Sequence, residues 1–240
     1  MEKLRLRRML AYVKANKSCS VAELMEKFGA SSATIHRDIL ELSKRDAVER
    51  VRGGIVFNDA PDAKFNSAEY QERVVANRRA KALLAQKAVS LVNEGDVVFL
   101  DSSTTVYEIA TLLKSAEFEH LTVVTNAIPV MNAFRKFQPH WNMIGLGGVY
   151  DAQLNSFLGS AAATQLEGIN ITKAFVSAFG VDGKSVTTNN ERHGDLLRAV
   201  LSASERRYLV VDDTKLNRSG LYRICAPGMF DAIITEKGQS

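Results

Sequence analysis

The residues with the most chemical potential sit in short polar runs at the ends of apolar ones. Asp101-Ser102-Ser103-Thr104-Thr105 follows Val97-Val98-Phe99-Leu100 and precedes a helical stretch through Ile109 and Leu113. Hydroxyls and free backbone N–H groups at a helix start make an anion site favoured by the helix dipole, and a phosphate fits it. The same Ser and Thr residues also serve as a plain helix cap. Thr125-Asn126, Gly147-Gly148, Phe179-Gly180-Val181-Asp182-Gly183 and Asp212-Asp213-Thr214-Lys215 close four further apolar runs. Carboxylates, an amide and a lysine converging on one rim suit a polyol that carries a phosphate. Two glycines at 147–148 allow close approach of the backbone to a ligand, or simply a turn. His36, His120, His140 and His193 share no metal-like spacing with one another or with Cys19 and Cys225. No Gly-x-x-x-x-Gly-Lys-Ser/Thr loop and no Gly-x-Ser-x-Gly elbow is present. The sequence therefore predicts no metal, no cofactor and no catalytic residue.

A second concentration of polar groups lies near the N-terminus. Ser32, Ala33, Thr34, His36 and Arg37 are short, hydrogen-bonding or cationic, a face able to meet phosphates and base edges. Arg37 either pairs with a guanine in bidentate fashion or holds a phosphate. Three predicted helices position these residues. Leu6, Met9, Leu10 and Val13 recur at i, i+3, i+4 and i+7, and Val21, Leu24, Met25 and Phe28 repeat the spacing. Ser20 with Glu23 forms a capping box that starts the second helix near Val21, and Gly29 supplies its left-handed stop. Ser31 or Ser32 caps the third, with Ile35, Ile39 and Leu42 facing inward. Helices joined by Gly29-Ala30-Ser31 make a helix-turn-helix, whose second helix enters the major groove by its N-terminal residues. Val48-Glu49-Arg50-Val51-Arg52 and Ile55-Val56-Phe57 flank Gly53-Gly54, which predicts a β-hairpin wing. Arg50 and Arg52 then lie beside the DNA backbone, a positioning role. The alternative is a three-helix interaction module without a DNA role.

Charge follows the same division. The chain has 240 residues with a net charge of +4. Residues 1–56 hold twelve Lys or Arg against seven Asp or Glu, a net +5, and the remainder is near neutral. A basic segment on a near-neutral body points to polyanion binding. Hydrophobic residues at 46% and charged residues at 24% describe an ordinary globular chain, neither disordered nor fibrous. No apolar run approaches the roughly 20 residues of a bilayer span, and the charged start lacks the apolar core of a signal peptide. Two cysteines make no disulfide framework, and the expected location is cytoplasmic. Asn58–Ser67 is polar, contains Pro61 and shows no period, as a linker would. The expected organisation is a winged helix-turn-helix at 1–57, a linker at 58–68 and an α/β domain at 69–240. That domain's strand candidates are 97–100, 121–124, 142–146, 174–176, 208–211 and 232–234. Most are continuous apolar runs, the mark of a mainly parallel sheet buried on both faces. Trp141 precedes one of them and is expected to pack. In such sheets ligands bind beyond the carboxyl ends of the strands.

Ser20-Val21-Ala22-Glu23-Leu24, Phe28-Gly29-Ala30-Ser31, Thr34-Ile35-His36-Arg37-Asp38-Ile39, Leu42 and Val51-Arg52-Gly53-Gly54 together resemble the N-terminal signature of DeoR-family bacterial transcriptional repressors. The family commonly carries two adjacent arginines before the aspartate, where this chain has His36-Arg37, and that difference bears on the operator read. Residues 69–235 resemble the family's C-terminal effector domain, which is similar to the ribose-5-phosphate isomerase fold and senses phosphorylated sugars. The resemblance implies effector contacts from Arg73, Lys81, Asp212 and Lys215, with the Ser102–Thr105 loop on the phosphate. It further marks Asp101, Asn126, Gly148 and Glu191, and Asp182 stands at the same rim. Two departures are Gly183-Lys184-Ser185-Val186-Thr187 in place of Gly-Leu-Thr, and a chain that stops at Ser240 without the family's usual further helix and strand. The first bears on which sugar fits, and the second either leaves a sheet edge uncovered beside Ile233-Ile234 or reflects a shortened chain.

The function expected from these readings is sequence-specific repression of a carbohydrate operon, with DNA affinity controlled by a sugar phosphate. The expected DNA contacts are Ser20, Ser31, Ser32, Thr34, His36, Arg37, Lys44, Arg50 and Arg52. The expected partners are a double-stranded operator, the effector and further copies of the chain in a dimer or tetramer, with no membrane. The competing expectation is a sugar-phosphate isomerase with an accessory N-terminal domain. Against it, the region where such isomerases carry an Asp-Gly-Ala-Asp-like segment reads Ser177-Ala178-Phe179-Gly180-Val181-Asp182. Asp182 and Glu191 are left as candidate general bases. A protein-interaction adaptor is the third possibility.

Overall fold

A computed structural model describes residues 2–16, 18–43, 48–51, 53–57, 68–134 and 140–239. The chain divides into two compact units, Met1–Phe65 and Asn66–Ser240. Of the expected linker, residues 58–67 lie outside the described residues, and Ala68 already opens a helix.

The first unit comprises α1 (Glu2–Asn16), β1 (Ser18–Ser20), α2 (Val21–Phe28), α3 (Ser32–Ser43), β2 (Val48–Val51) and β3 (Gly54–Phe57). The predicted apolar stripes close one core: Leu6, Met9 and Val13 from α1 meet Leu24 from α2, Ile35, Ile39 and Leu42 from α3, and Ile55 from β3. Each such side chain, fully buried, contributes about 1.5–3 kcal/mol. The capping box forms as expected. The Glu23 N–H donates to Ser20 Oγ at 3.1 Å, and the Ser20 N–H donates to Glu23 Oε2 at 2.6 Å. Gly29 ends α2 at φ 56°, where a side chain would be strained. Ser31 rather than Ser32 supplies the hydroxyl at the start of α3, accepting from the Thr34 N–H at 3.4 Å. The hairpin wing pairs β2 with β3 antiparallel, and β1 adds a third strand on the other side of β3. A strand of three residues is too short for alternation to reveal, and the sequence reading did not anticipate β1.

In the second unit, α4 (Ala68–Val75) and α5 (Arg78–Val89) lead into β4 (Val97–Leu100), α6 (Thr104–Leu113), β5 (Thr122–Thr125), α7 (Ile128–Ala133) and β6 (Asn142–Gly145). The hairpin β7 (Val149–Asp151) and β8 (Ser156–Leu158) follows, then α8 (Ser160–Thr164) and β9 (Ile171–Val176). The chain continues through β10 (Gly180–Val181), β11 (Val186–Thr188), α9 (Glu191–Ser202), β12 (Ser204–Val210), β13 (Tyr222–Cys225), β14 (Ala232–Thr235) and β15 (Gly238–Gln239). The central sheet runs β15-β14-β12-β9-β4-β5-β6, and every pairing except β14–β15 is parallel. The predicted α/β class with a mainly parallel sheet therefore holds. Alternate residues of each strand enter opposite cores: Val98, Leu100, Phe175 and Val210 on one face, Phe99, Ala174, Val176 and Leu209 on the other. Burial of both faces explains why these strands read as unbroken apolar runs. Trp141 packs in the first core, its indole N–H donating to the Phe118 carbonyl at 2.9 Å.

One expectation needs correction. The edge expected bare beside Ile233-Ile234 is paired by β15, with Ile234 opposite Gln239 and Thr235 opposite Gly238. The region after β9 forms a small antiparallel sheet, β10-β11-β13, which the sequence reading did not anticipate. Strands of two to four residues leave no period to read.

Connectivity fixes where a ligand can sit. From β4 the chain moves outward through β5 and β6, then returns to the other side of β4 for β9, β12 and β14. The order reverses between β4 and β9, and at such a switch point the diverging loops open a crevice beyond the strand ends.

Candidate functional site

Asp101 lies at the carboxyl end of β4 and is fully buried. One carboxylate oxygen accepts the Ser103 N–H at 2.8 Å and the other the Ser177 N–H at 2.7 Å. Ser177 follows β9, so a single side chain ties together the two loops that border the switch point. Ser103 Oγ accepts the Val106 N–H at 3.1 Å and caps α6. Thr104 Oγ1 donates to the Arg73 carbonyl at 3.3 Å, which fastens the end of α4 to this loop.

Two adjoining cavities open here, sharing Arg73, Ser103, Ser177, Ala178 and Lys215. The larger, about 290 Å³, is lined also by Ser102, Phe179, Thr188, Asn190 and His193. Its volume stands at the lower end of the roughly 300–1,000 Å³ typical of small-molecule sites. The smaller, about 100 Å³, adds Asn77, Lys81, Thr104, Thr105 and Asp212.

The smaller lobe is cationic. Lys81 is buried and its ammonium donates to the Arg73 carbonyl. Burial pushes its pKa below the ordinary lysine value; Asp212 and Glu108 oppose the shift, while Lys215 and Arg73 add to it. Lys215 is lowered in the same way, first by burial and further by Arg218 and Arg73, against Asp212. An anion in this lobe reverses both shifts, so the lysines gain what it brings. The larger lobe is polar and uncharged at its far end. The His193 imidazole is buried, with Nδ1 at 3.3 Å from Thr188 Oγ1. Burial pushes its pKa down, Asp101 and Asp151 oppose, and Arg73 adds.

The crevice thus gathers Arg73, Lys81, Ser102, Ser103, Thr104, Thr105, Asp212 and Lys215 from the expected set. Five others lie outside its lining. Asp101 braces the loops from beneath. Asn126 is buried, and its amide donates to the Phe157 carbonyl at 3.0 Å. Gly148 is required by a neighbouring strand, because a Cβ there would stand 2.5 Å from the Leu158 carbonyl oxygen of β8. Asp182 sits in the β10–β11 turn, one oxygen accepting the N–H groups of Lys184 and Ser185 at 2.8 Å each. Those bonds hold its pKa below the ordinary carboxylate value. Glu191 is exposed at the first position of α9. Neither candidate general base of the isomerase reading reaches the crevice. Sequence reasoning missed His193, Asn190 and Thr188 because their helix and strand were not recognised as bordering the switch point. It named Phe179 only as the start of the run that closes the expected strand at 174–176, and Ser177, which directly follows that strand, only in the isomerase comparison.

In the first unit, Ser32, Ala33, His36 and Arg37 are exposed along the N-terminal half of α3, and Thr34 is half-buried, 3.0 Å from Ser31 Oγ. Asp38 is buried, accepting from Arg5 Nε at 2.5 Å and from Arg5 Nη2 at 3.0 Å. This bidentate pair binds α1 to α3 and orients the helix so that its two preceding residues face outward. Arg50 is exposed on β2, and Ser20 is taken up by the capping box. Lys44 and Arg52 lie outside the described residues.

Comparison with known proteins matches both units. Residues 5–60 match the DeoR-like helix-turn-helix domain, and residues 76–237 match the DeoR C terminal sensor domain. The chain is 28% identical over 237 residues to the lactose phosphotransferase system repressor of Lactococcus lactis subsp. lactis, covering 98% of this chain and 91% of that one. It is 30% identical over 230 residues to the L-fucose operon activator of Haemophilus influenzae, covering 95% and 90%. Among solved structures, ribose 5-phosphate isomerase A of Methanocaldococcus jannaschii is similar at a TM-score of 0.43 and 16% identity, over 59% of this chain and 55% of that one.

Proposed function

The chain belongs to the DeoR family of transcriptional regulators, and on that footing we propose that it represses a carbohydrate operon under the control of a phosphorylated sugar. The exposed half of α3 enters the major groove, with Arg37 and His36 toward the bases and Arg50 on the wing toward the backbone. The effector sits in the crevice beyond β4 and β9, its phosphate in the lobe of Lys81 and Lys215. The names of the lactose and L-fucose relatives support a sugar as the signal. The observation that carries the reading is the pair of lysines in a small cavity at the switch point, Lys81 buried and Lys215 half-buried, both held below the ordinary lysine pKa by desolvation. Such a site is stabilised by a dianion and disfavours an uncharged ligand.

The assembly is a homo-oligomer in the cytoplasm, since two recognition helices held together engage two half-sites at a higher effective concentration than one. The effector acts through a difference in its affinity for the operator-bound and operator-free arrangements. A thermal-shift screen of pentose and hexose phosphates tests the site. At about 100 times its Kd, the effector adds about 2.7 kcal/mol of stability, and K81Q abolishes the gain. Stabilisation by free sugars equal to that by their phosphates would refute the assignment.

A further inference from the structure

We propose that His193 and Ser102 read the body of the effector, each through a hydroxyl group, while the lysine lobe holds its phosphate. The inference rests on the effector reading above and moves Ser102 from the phosphate to the sugar. His193 is 7% exposed and Ser102 2%, and both line the larger cavity. Ser102 Oγ and His193 Nε2 are buried with no hydrogen-bond partner among the described residues. Buried polar groups are nearly always paired, so two orphans in one cavity mark where a ligand supplies the partners. The neighbouring hydroxyls differ: Ser103 Oγ is engaged by Val106 and Thr104 Oγ1 by Arg73.

The chemistry of the partner follows from the surroundings. Thr188 holds the imidazole by Nδ1, so Nε2 is fixed in direction and acts as donor or acceptor according to tautomer. A hydroxyl satisfies either form, and it satisfies a serine hydroxyl equally well. Asp101 and Asp151 face His193, which disfavours a second anion at this end. Lys81, which lines the smaller lobe and not the larger, draws the phosphate the other way. The crevice therefore has a polarity, with a charged end at Lys81 and a neutral, hydroxyl-reading end at His193.

Calorimetric titration of the full chain with inorganic phosphate, pentose and hexose phosphates, and their single-deoxy analogues tests this. Removing the hydroxyl met by either side chain weakens binding by roughly 5- to 150-fold. S102A and H193F each erase the preference for one hydroxyl, with the loss falling on sugar phosphates more than on inorganic phosphate. H193Q, whose amide carries a polar group toward the same place, retains part of the preference and serves if H193F does not fold. Wild-type discrimination in S102A and in the His193 variants would overturn the proposal and leave the phosphate assignment standing. Failure of the wild-type chain to bind inorganic phosphate or any sugar phosphate would overturn both.

Discussion

The two units make their functional surfaces in opposite ways. The first buries Asp38 against Arg5 and turns His36 and Arg37 outward from a single helix. The second draws Lys81 and Lys215 inward and leaves Ser102 and His193 unmatched in a crevice built from six separate segments. A convex reading surface needs only a rigid helix at the right angle. A concave one needs loops from both sides of a sheet held in register, and Asp101 is the side chain that holds them.

The sharpest way to break this contrast is to remove each brace. Asp101→Ala leaves the N–H groups of Ser103 and Ser177 without an acceptor, which costs about 1–3 kcal/mol each in the second unit. Hydrogen exchange should show the protection of β4 and β9 falling while that of α3 is kept; equal loss in α3 would deny that the units are separately braced. Asp38→Ala is milder, about 1–3 kcal/mol, because Arg5 is partly exposed and solvent screens what remains. Its loss should fall on the first unit and on operator binding, read by chemical denaturation and fluorescence anisotropy.

The contrast also explains what the sequence disclosed. The helix-turn-helix was legible almost residue by residue, since its stripes, the Ser20–Glu23 box and Gly29 are local features whose partners lie within a few positions. The central sheet was legible for a different reason: strands buried on both faces leave unbroken apolar runs. β1 and the β10-β11-β13 sheet were not, because strands of two to four residues carry no period. The crevice was half legible. Ser102 to Thr105 and Lys215 stood at strand ends, but His193 is separated from β4 by some ninety residues and joins the site only through the fold. Gly148 and Asp182 looked like rim residues because turn chemistry and ligand chemistry use the same residue types.

Smaller perturbations sharpen the comparison further. Arg37→Ala should weaken operator binding by about 1–3 kcal/mol and leave sugar-phosphate affinity unchanged; parallel loss of both would point to misfolding. The weakest effect expected is on pH dependence. Burial lowers the folded pKa of His193, so the folded state holds fewer protons there than the unfolded chain, whose histidine titrates near 6.5. The stability it confers is complete above about pH 6.5 and is lost as pH falls toward the folded value. Asp101 and Asp151 temper the loss, and Arg73 deepens it. Urea midpoints between pH 7.5 and 5.5 should therefore fall less in H193Q than in the wild type.

The most direct measurement is the operator affinity of the full chain, followed by anisotropy while a sugar phosphate that stabilises the second unit is titrated in. Coupling between crevice and recognition helix predicts a change of about 5- to 150-fold at saturation. An operator affinity that stays constant while the crevice fills would contradict it.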